Sequence, residues 1–418
     1  MKRLAPLTTV PRFCLIAAAF LLTASCARPK PEGMPRATPA SQGMDPVRLS
    51  LVDSAVNASI GQGDIPGAVV GVVRHGKLVF ERAYGYKSLV PTRDSMTLET
   101  MFDLASVSKC VGTTLSFMQL VEQGKVRLVD PVDRYVPGFV SWRDPKTRKR
   151  DRITVQDLLT HSSGLDPFLR DVPGYVERFG AGTPDSLVNY IATVSQRHFK
   201  PGTDCLYSCL NFIILQNILE RITGQRLCDY AQEHVFDPLG LRHTCYFPTE
   251  GAAHPELAPL CAPTEVLEDG HVLQAEVHDP TARIVNLGNS GNAGVFSNLE
   301  DLAIVSAMLL NGGEWNGQRI LSPLTVQRMF TVPADNAPGV ARALGWDTYY
   351  LSPYACGDVF DTAELRGHTG YTGTFLLLDP ATDTALILLA HRVHPADDGS
   401  VARLRAVVSS IVASAILR

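Results

Sequence analysis

The sequence predicts an α/β fold: an antiparallel sheet flanked by helices, with a mostly helical lobe inserted into it. Strand-like runs lie near both ends of the chain, at Ala68 to Arg74 and Lys77 to Tyr84, then at Thr374 to Leu378 and Ala385 to Ala390. The long middle reads as helices instead. Of the 418 residues, 45% are hydrophobic and 19% charged, which is ample apolar material for a sizeable core. Sheet, helical insert and sheet again imply one lobe built from about 44–105 and 285–418, around a helical lobe of about 106–284.

The elements follow in order. From Asp45 the apolar positions Val47, Leu49, Leu51, Val52 and Val56 predict a helix. The first two strand runs are separated by His75-Gly76, a hairpin signal. Val107 to Glu122 reads as a helix with Val111, Leu115, Met118 and Leu120 on its apolar face. Thr154 and Asp157 cap a short helix that ends at His161. Asn211 to Ile222 is helical and stops at Gly224. Ser297 and Glu300 form a capping box ahead of Leu302 to Leu310, and a last helix runs from about Val401 to Leu417.

The N-terminus carries an export signal. Lys2, Arg3 and Arg12 precede the apolar stretch Phe13 to Leu22, too short to span a bilayer comfortably, and Thr23-Ala24-Ser25-Cys26 follows. A cysteine directly after a small-residue cleavage site is similar to a bacterial lipobox. The expectation is a lipoprotein signal over 1–25, a lipid-bearing Cys26, and a Pro/Gly-rich tether over 26–43. The product would be a periplasmic protein attached to the membrane. Plain secretion and an uncleaved anchor are the alternatives. Nine cysteines are present, and loss of Cys14 with lipidation of Cys26 leaves seven, which cannot all pair. Cys205 and Cys209 would bridge only if the backbone around Tyr207 curls.

Net charge is −4 with no long block of one sign, so there is no electrostatic footprint for nucleic acid. The basic run Lys146 to Arg150 is bracketed by Asp144 and Asp151 and reads as a solvated loop. His391 and His394 lack a third ligand, and neither HExxH nor G-x-S-x-G occurs, so no metal and no cofactor are expected. Glu276, His278 and Asp279 read as loop residues near a cleft rim. His161 reads as a structural residue at a helix end.

Ser106-Val107-Ser108-Lys109 carries the chemistry. Alone, S-x-x-K is expected about once by chance in a chain of this size. Its context adds weight: residues three apart on a helix share a face, so Lys109 reaches the Ser106 hydroxyl, and the helix start supplies N–H groups where an oxyanion would form. A serine hydroxyl needs such a neighbouring base to become nucleophilic. Two further segments join it: Tyr207-Ser208-Cys209 before a helix, and Gly367-His368-Thr369-Gly370-Tyr371 before a strand.

With these three motifs in this order, the chain resembles the serine β-lactamase and penicillin-binding protein superfamily. It is most similar to class C β-lactamases and to related esterases and D-peptidases of the H-T-G type. The resemblance covers residues 44 to 418, including FDLASVSK, ITVQDLLTHSSGL, VFDPLGL and GNAGVFS. It implies that Ser106 is the acylated nucleophile, Lys109 its base and Tyr207 the proton relay to the leaving group. It implies that His368, Thr369 and Gly370 line the substrate cleft, and that the amides of Ser106 and Tyr371 form the oxyanion hole. Two departures stand out. Cys209 occupies the place of the family's asparagine, with Asn211 nearby as a possible substitute, and both join the substrate-binding set. His368 replaces the lysine of many β-lactamases, and a histidine there would change charge near pH 6.5. The expected activity is acyl-enzyme hydrolysis of a D-alanyl peptide or a small ester or amide. The alternative is a penicillin-binding receptor or weak β-lactamase with little turnover.

Overall fold

The hairpin that opens the sheet owes its tightness to His75 and Gly76, which take φ values of 50° and 65°, the two positive values a type I′ turn requires. The computed structural model describes residues 33–249, 254–349 and 354–417, besides Met1. Residues 31 to 418 form one compact unit. Cys26 and the apolar stretch before it lie outside the described residues.

Six antiparallel strands form the central sheet: β1 (Gly67–Arg74), β2 (Lys77–Ser88), β3 (Asp94–Ser95), β4 (Arg366–Thr369), β5 (Phe375–Asp379) and β6 (Thr384–Ala390). Their spatial order is β4-β5-β6-β1-β2-β3, so strands from opposite ends of the sequence pair at the centre, β1 against β6. One antiparallel sheet is thus built from both ends of the sequence. Side chains alternate between its two faces, as a strand's period of two dictates. Leu386, Leu388 and Ala390 pack with Val52, Val56, Leu404 and Val408 of the terminal helices Leu51–Gln62 and Ala402–Ala415. Ala385, Ile387 and Leu389 face the second core with the Leu299–Leu310 helix and the helical lobe. That helix approaches β1 closely at Gly71, where an added Cβ would stand 2.2 Å from Leu299 Cδ1.

Four local readings change. The expected tether does not extend through 43: Met34 is buried, Leu78 donates to Pro35 O at 2.8 Å, and Ala37 donates to Leu78 O at 3.0 Å. Residues 34 to 37 instead run along the start of β2. The first helix is broken, into Pro46–Leu49 capped by Asp45 and Leu51–Gln62. The capping box at Ser297 is also displaced. Ser297 still belongs to a strand, Val295–Ser297, so Asn298 caps the helix by accepting from Asp301 N at 3.0 Å. Glu300, freed from the cap, accepts from Met34 N at 3.1 Å. The segment after Ser106 is not a plain α-helix, as described below.

Thr154 and Asp157 do form their capping box on Val155–Leu159, and the Cys209–Thr223 helix ends on Gly224 in the left-handed region. Residues 146–149 are exposed on the turn between two short strands, as read, and Arg150 is the exposed first residue of the second strand. No helix among the described residues is long and apolar enough to cross a membrane.

Candidate active site

Ser106 sits where a strand breaks into a helix. Phe102–Asp103 pairs with Val295–Ser297, and the chain then turns at Ala105, whose φ of 46° is left-handed. An alanine in that region costs on the order of 1–3 kcal/mol and persists only when its surroundings enforce it. The surroundings here are specific. The buried Asp103 carboxylate accepts from Ala105 N at 2.8 Å and from His278 N at 2.7 Å. Thr372 and Thr374 donate their hydroxyls to Asp103 O at 2.8 Å and Leu104 O at 2.9 Å. Gly370 allows this contact, since a Cβ there would lie 2.5 Å from Leu104 O. The turn after β4 is thereby packed against the turn that presents Ser106.

The helix expected over Val107 to Glu122 is three pieces. Ala105–Val107 is a single 3₁₀ turn, Lys109–Thr114 a π turn, and only Leu115–Glu122 is α-helical. Irregular turns of this kind gather at functional sites. The predicted pair survives the change: Lys109 Nζ donates to Ser106 Oγ at 3.0 Å. Ser106 is half-buried, while Lys109 is fully buried.

Lys109 has two further partners, Asn292 O at 2.8 Å and Cys209 Sγ at 3.6 Å. Tyr207 lies beside it, with Nζ 5.1 Å from the ring centroid. The Tyr207 hydroxyl is buried without a hydrogen-bond partner among the described residues, yet Lys109 and Ser106 are close enough to favour its ionised form. Burial on its own disfavours the Lys109 ammonium, but the nearby Cys209 and Tyr207, which become negative only at high pH, outweigh it, so the net displacement is upward. Burial in turn raises the Cys209 thiol and pushes Tyr207 up to about 12. Near neutral pH Lys109 therefore carries the positive charge of this group, while Tyr207 and Cys209 keep their protons.

His368 and Thr369 lie on β4 at the edge of the sheet, with Gly370 just beyond it. His368 does not behave as the sequence suggests. It is buried, its Nδ1 is engaged with Thr369 O at 2.8 Å, and burial drives its pKa down to about 4. It is therefore neutral across the neutral range rather than switching near 6.5. Asn211 is likewise not a substitute for the missing asparagine. Its side chain pairs with Ser163 Oγ at 2.6 Å and His161 Nδ1 at 3.3 Å, away from Lys109. The carbonyl of Asn292, from the GNAG segment, fills that role toward Lys109.

His161 is structural in the sense expected, at φ 55° after a helix end, but it also reaches the site. Its ring stacks on Tyr207 with centroids 4.4 Å apart, and its Nδ1 accepts from Ser208 N at 2.9 Å. Tyr371 is clamped from several sides. Arg392 Nε donates to Tyr371 O at 2.8 Å, its guanidinium lies 4.4 Å from the ring centre, and Tyr371 Oη donates to Asp397 at 2.6 Å. His278 stacks on the same ring at 5.7 Å, which puts the rim residue singled out in the sequence next to the site. Among the described residues no group accepts from the Tyr371 amide. Cys205 and Cys209 are both free thiols, and His394 is occupied by Leu89 N at 2.9 Å and Thr264 O at 2.7 Å.

Sequence reasoning missed Asp103, Asn292, Arg392 and the pair Arg342–Asp347. Arg342 and Asp347 form an ion pair in which both side chains are largely buried, and the Arg342 guanidinium lies 5.4 Å from the Tyr207 ring centre. Asp347 N donates to Gly367 O at 2.9 Å, next to His368. The only local signal was two charged residues flanking the apolar ALGW.

A sheet-edge strand, a serine on a strained turn and a buried lysine in hydrogen-bond contact with it define the class: serine hydrolases of the β-lactamase and penicillin-binding type. The comparisons carry this to the family. A family model described as Beta-lactamase matches residues 52–409, and the chain belongs to that family. An N-acetylmuramyl-L-alanine amidase of Bacillus subtilis is 31% identical over 370 residues, covering 83% of this chain and 81% of that protein. A putative D-alanyl-D-alanine carboxypeptidase of Salmonella paratyphi B is 29% identical over 381 residues, covering 86% of each chain. Among solved structures, EstCE1, titled a hydrolase with promiscuous acyltransferase activity, superposes with a TM-score of 0.69 at 24% identity. It covers 88% of this chain and 99% of its own, and supports the fold.

Proposed function

We propose that this hydrolase works through an acyl-enzyme on Ser106, with Lys109 as the base and Tyr207 carrying the proton to the leaving group. The observation that carries the reading is the 3.0 Å contact between Lys109 Nζ and Ser106 Oγ beside the buried Tyr207 hydroxyl, which has no hydrogen-bond partner among the described residues. In the acylation step the Ser106 oxygen bonds to the substrate carbonyl carbon. Its proton passes into the Lys109–Tyr207 set and leaves on the departing amine or alcohol, and water then releases the acid. The amides of Ser106 and Tyr371 would hold the oxyanion, a contribution of roughly 3–4 kcal/mol per donor in other hydrolases.

The substrate class we infer is a cell-wall peptide ending in a D-alanyl unit, or a small ester or amide. The names of the B. subtilis and Salmonella relatives support the first. The export reading completes the proposal: the mature chain begins at a lipid-modified Cys26 and meets its substrate in the periplasm. Nitrophenyl esters, D-alanyl peptides and a chromogenic cephalosporin, assayed side by side on wild type and Ser106→Ala, test the function. Hydrolysis that survives in Ser106→Ala, or a serine probe that labels another residue, would remove Ser106 from its role. Recovery of the wild-type chain in the soluble fraction with an unmodified N-terminus would remove the lipid anchor.

A further inference from the structure

We infer that Arg342, set by its ion pair with Asp347, is a positioning residue for Tyr207: it orients the ring and supplies, beside Lys109, a permanent positive charge that steadies Tyr207 when its hydroxyl gives up a proton. The inference rests on the proton-relay role proposed for Tyr207, and deepens it.

Tyr207 is enclosed by nitrogen groups from separate parts of the chain. Lys109 Nζ stands 5.1 Å from the ring centre, the Arg342 guanidinium 5.4 Å, the His161 ring 4.4 Å and the His368 ring 5.8 Å. Cys209 and Ser106 complete the groups that act on its hydroxyl. Both histidines are held neutral by burial, His161 well below its ordinary value and His368 at about 4. The cysteine thiol is protonated for the same reason. Among the described residues, the cations beside the phenol at neutral pH are therefore Lys109 and Arg342. Lys109 is itself a proton carrier in the reaction, so its charge comes and goes. A guanidinium does not deprotonate in proteins, and Arg342 remains charged throughout the cycle.

The geometry also fixes the ring. A cation over one region of an aromatic surface and a stacked imidazole on another restrict its rotation. Arg342 cannot drift, because it is tied to Asp347, and Asp347 is tied to β4 through Gly367 and accepts from Tyr354 Oη at 2.9 Å. The pair thus links Tyr207, at the start of the Cys209–Thr223 helix, to the strand that carries His368 and Thr369. Asp347 tempers the arginine's charge, so loss of either partner changes the field at Tyr207 in opposite senses.

That opposition is the test. Activity on a neutral nitrophenyl ester is followed from pH 6 to 10 in wild type, Arg342→Gln, Arg342→Lys and Asp347→Asn, with thermal unfolding of each and Tyr207→Phe as a control. Removing the cation should move the rising limb of kcat upward by about one pH unit, the shift a charge at this distance gives. Arg342→Lys should restore the wild-type position. Asp347→Asn should move the limb downward. A merely structural role would lower activity and melting temperature without opposite displacements. Limbs that do not move, or that move in the same direction, would overturn the inference. So would a KM increase confined to carboxylate-bearing peptides, which would assign Arg342 to substrate capture. Wild-type turnover by Tyr207→Phe would instead remove the relay reading on which it rests.

Discussion

Cys209 Sγ stands 3.6 Å from Lys109 Nζ, in the place where the resemblance puts an asparagine. A thiol is a weak acceptor and a poor donor. It gives Lys109 little help and offers little to a substrate amide, so the Asn292 carbonyl provides the stronger contact at 2.8 Å. Cys209→Asn should therefore improve amide turnover more than ester turnover. A hydrogen bond to a charged group contributes about 1.5–3 kcal/mol, which corresponds to roughly a tenfold or larger gain in kcat/KM for a D-alanyl peptide. Parallel assays on peptide and ester check this; equal gains, or losses on both, would show that residue 209 does not meet the amide.

Lys109 is a buried ammonium with no carboxylate in contact among the described residues, held by one carbonyl, one hydroxyl and one thiol. Such a group is retained for chemistry rather than for stability, because taking an ion out of water is costly. Lys109→Met preserves length and removes the charge. Hydrolysis should fall at least a thousandfold, while the melting temperature stays level or rises. A large drop in melting temperature would mean that the ammonium anchors the π turn, and that the loss of activity is secondary.

Lys109 and its neighbours set the alkaline side of the pH profile, and His368 contributes to the acid side of stability. Because Lys109 stays charged while Tyr207 and Cys209 stay protonated near neutral pH, ester hydrolysis should rise with pH through and beyond neutrality as a base is freed. His368 adds no titration of its own in that range, so peptide capture should show no inflection near 6.5. Its folded pKa of about 4 is depressed from an ordinary 6.5, so the unfolded chain binds the extra proton between those values. Stability from this group is fully present above about 6.5 and is lost as pH falls toward 4, on the order of a few kcal/mol. Buried His161 and His391, both depressed by burial, act in the same sense. Denaturant titrations at pH 7, 5.5 and 4.5 should show this fall, and His368→Gln should make it shallower while the part due to His161 and His391 remains.

The order of strands and helices was legible because it is written in local periodicity: the β-branched run of β1, the turn at His75-Gly76 and the stop at Gly224 each act over a few residues. The pair Ser106 and Lys109 was legible for the same reason. What escaped was set by tertiary packing. Asp103 reads as an ordinary acidic residue until His278, 175 positions away, donates to it. Arg342 and Asp347 read as surface charges because their burial depends on β4 and the Tyr207 segment. The charge of His368 was misjudged because a residue's reference pKa carries no information on desolvation, and burial is the largest influence on it here. The π turn at Lys109 has no propensity signature of its own.

Arg392 offers a last discrimination, between holding a side chain and holding a peptide plane. Its Nε bonds the carbonyl of Tyr371 at 2.8 Å and its backbone N bonds the carbonyl of Thr372 at 2.8 Å. Its Nη1 also reaches Asp397 at 2.7 Å, which in turn accepts from Tyr371 Oη at 2.6 Å. The Arg392 side chain therefore fixes the Tyr371 backbone directly, whereas the tyrosine hydroxyl does so only through Asp397. If the Tyr371 amide is an oxyanion donor, its position matters most when the tetrahedral oxygen forms, so damage should appear in kcat. Arg392→Ala should lower kcat about ten- to a hundredfold with KM little changed, since removal of a whole donor in other hydrolases costs a hundred- to a thousandfold. Tyr371→Phe keeps the backbone bond from Arg392 and loses only the link to Asp397, and it should cost less than fivefold. Steady-state kinetics on one ester settles the ranking: if Tyr371→Phe proves the more damaging, the hydroxyl itself works in the cleft, and Arg392 serves the ring rather than the amide.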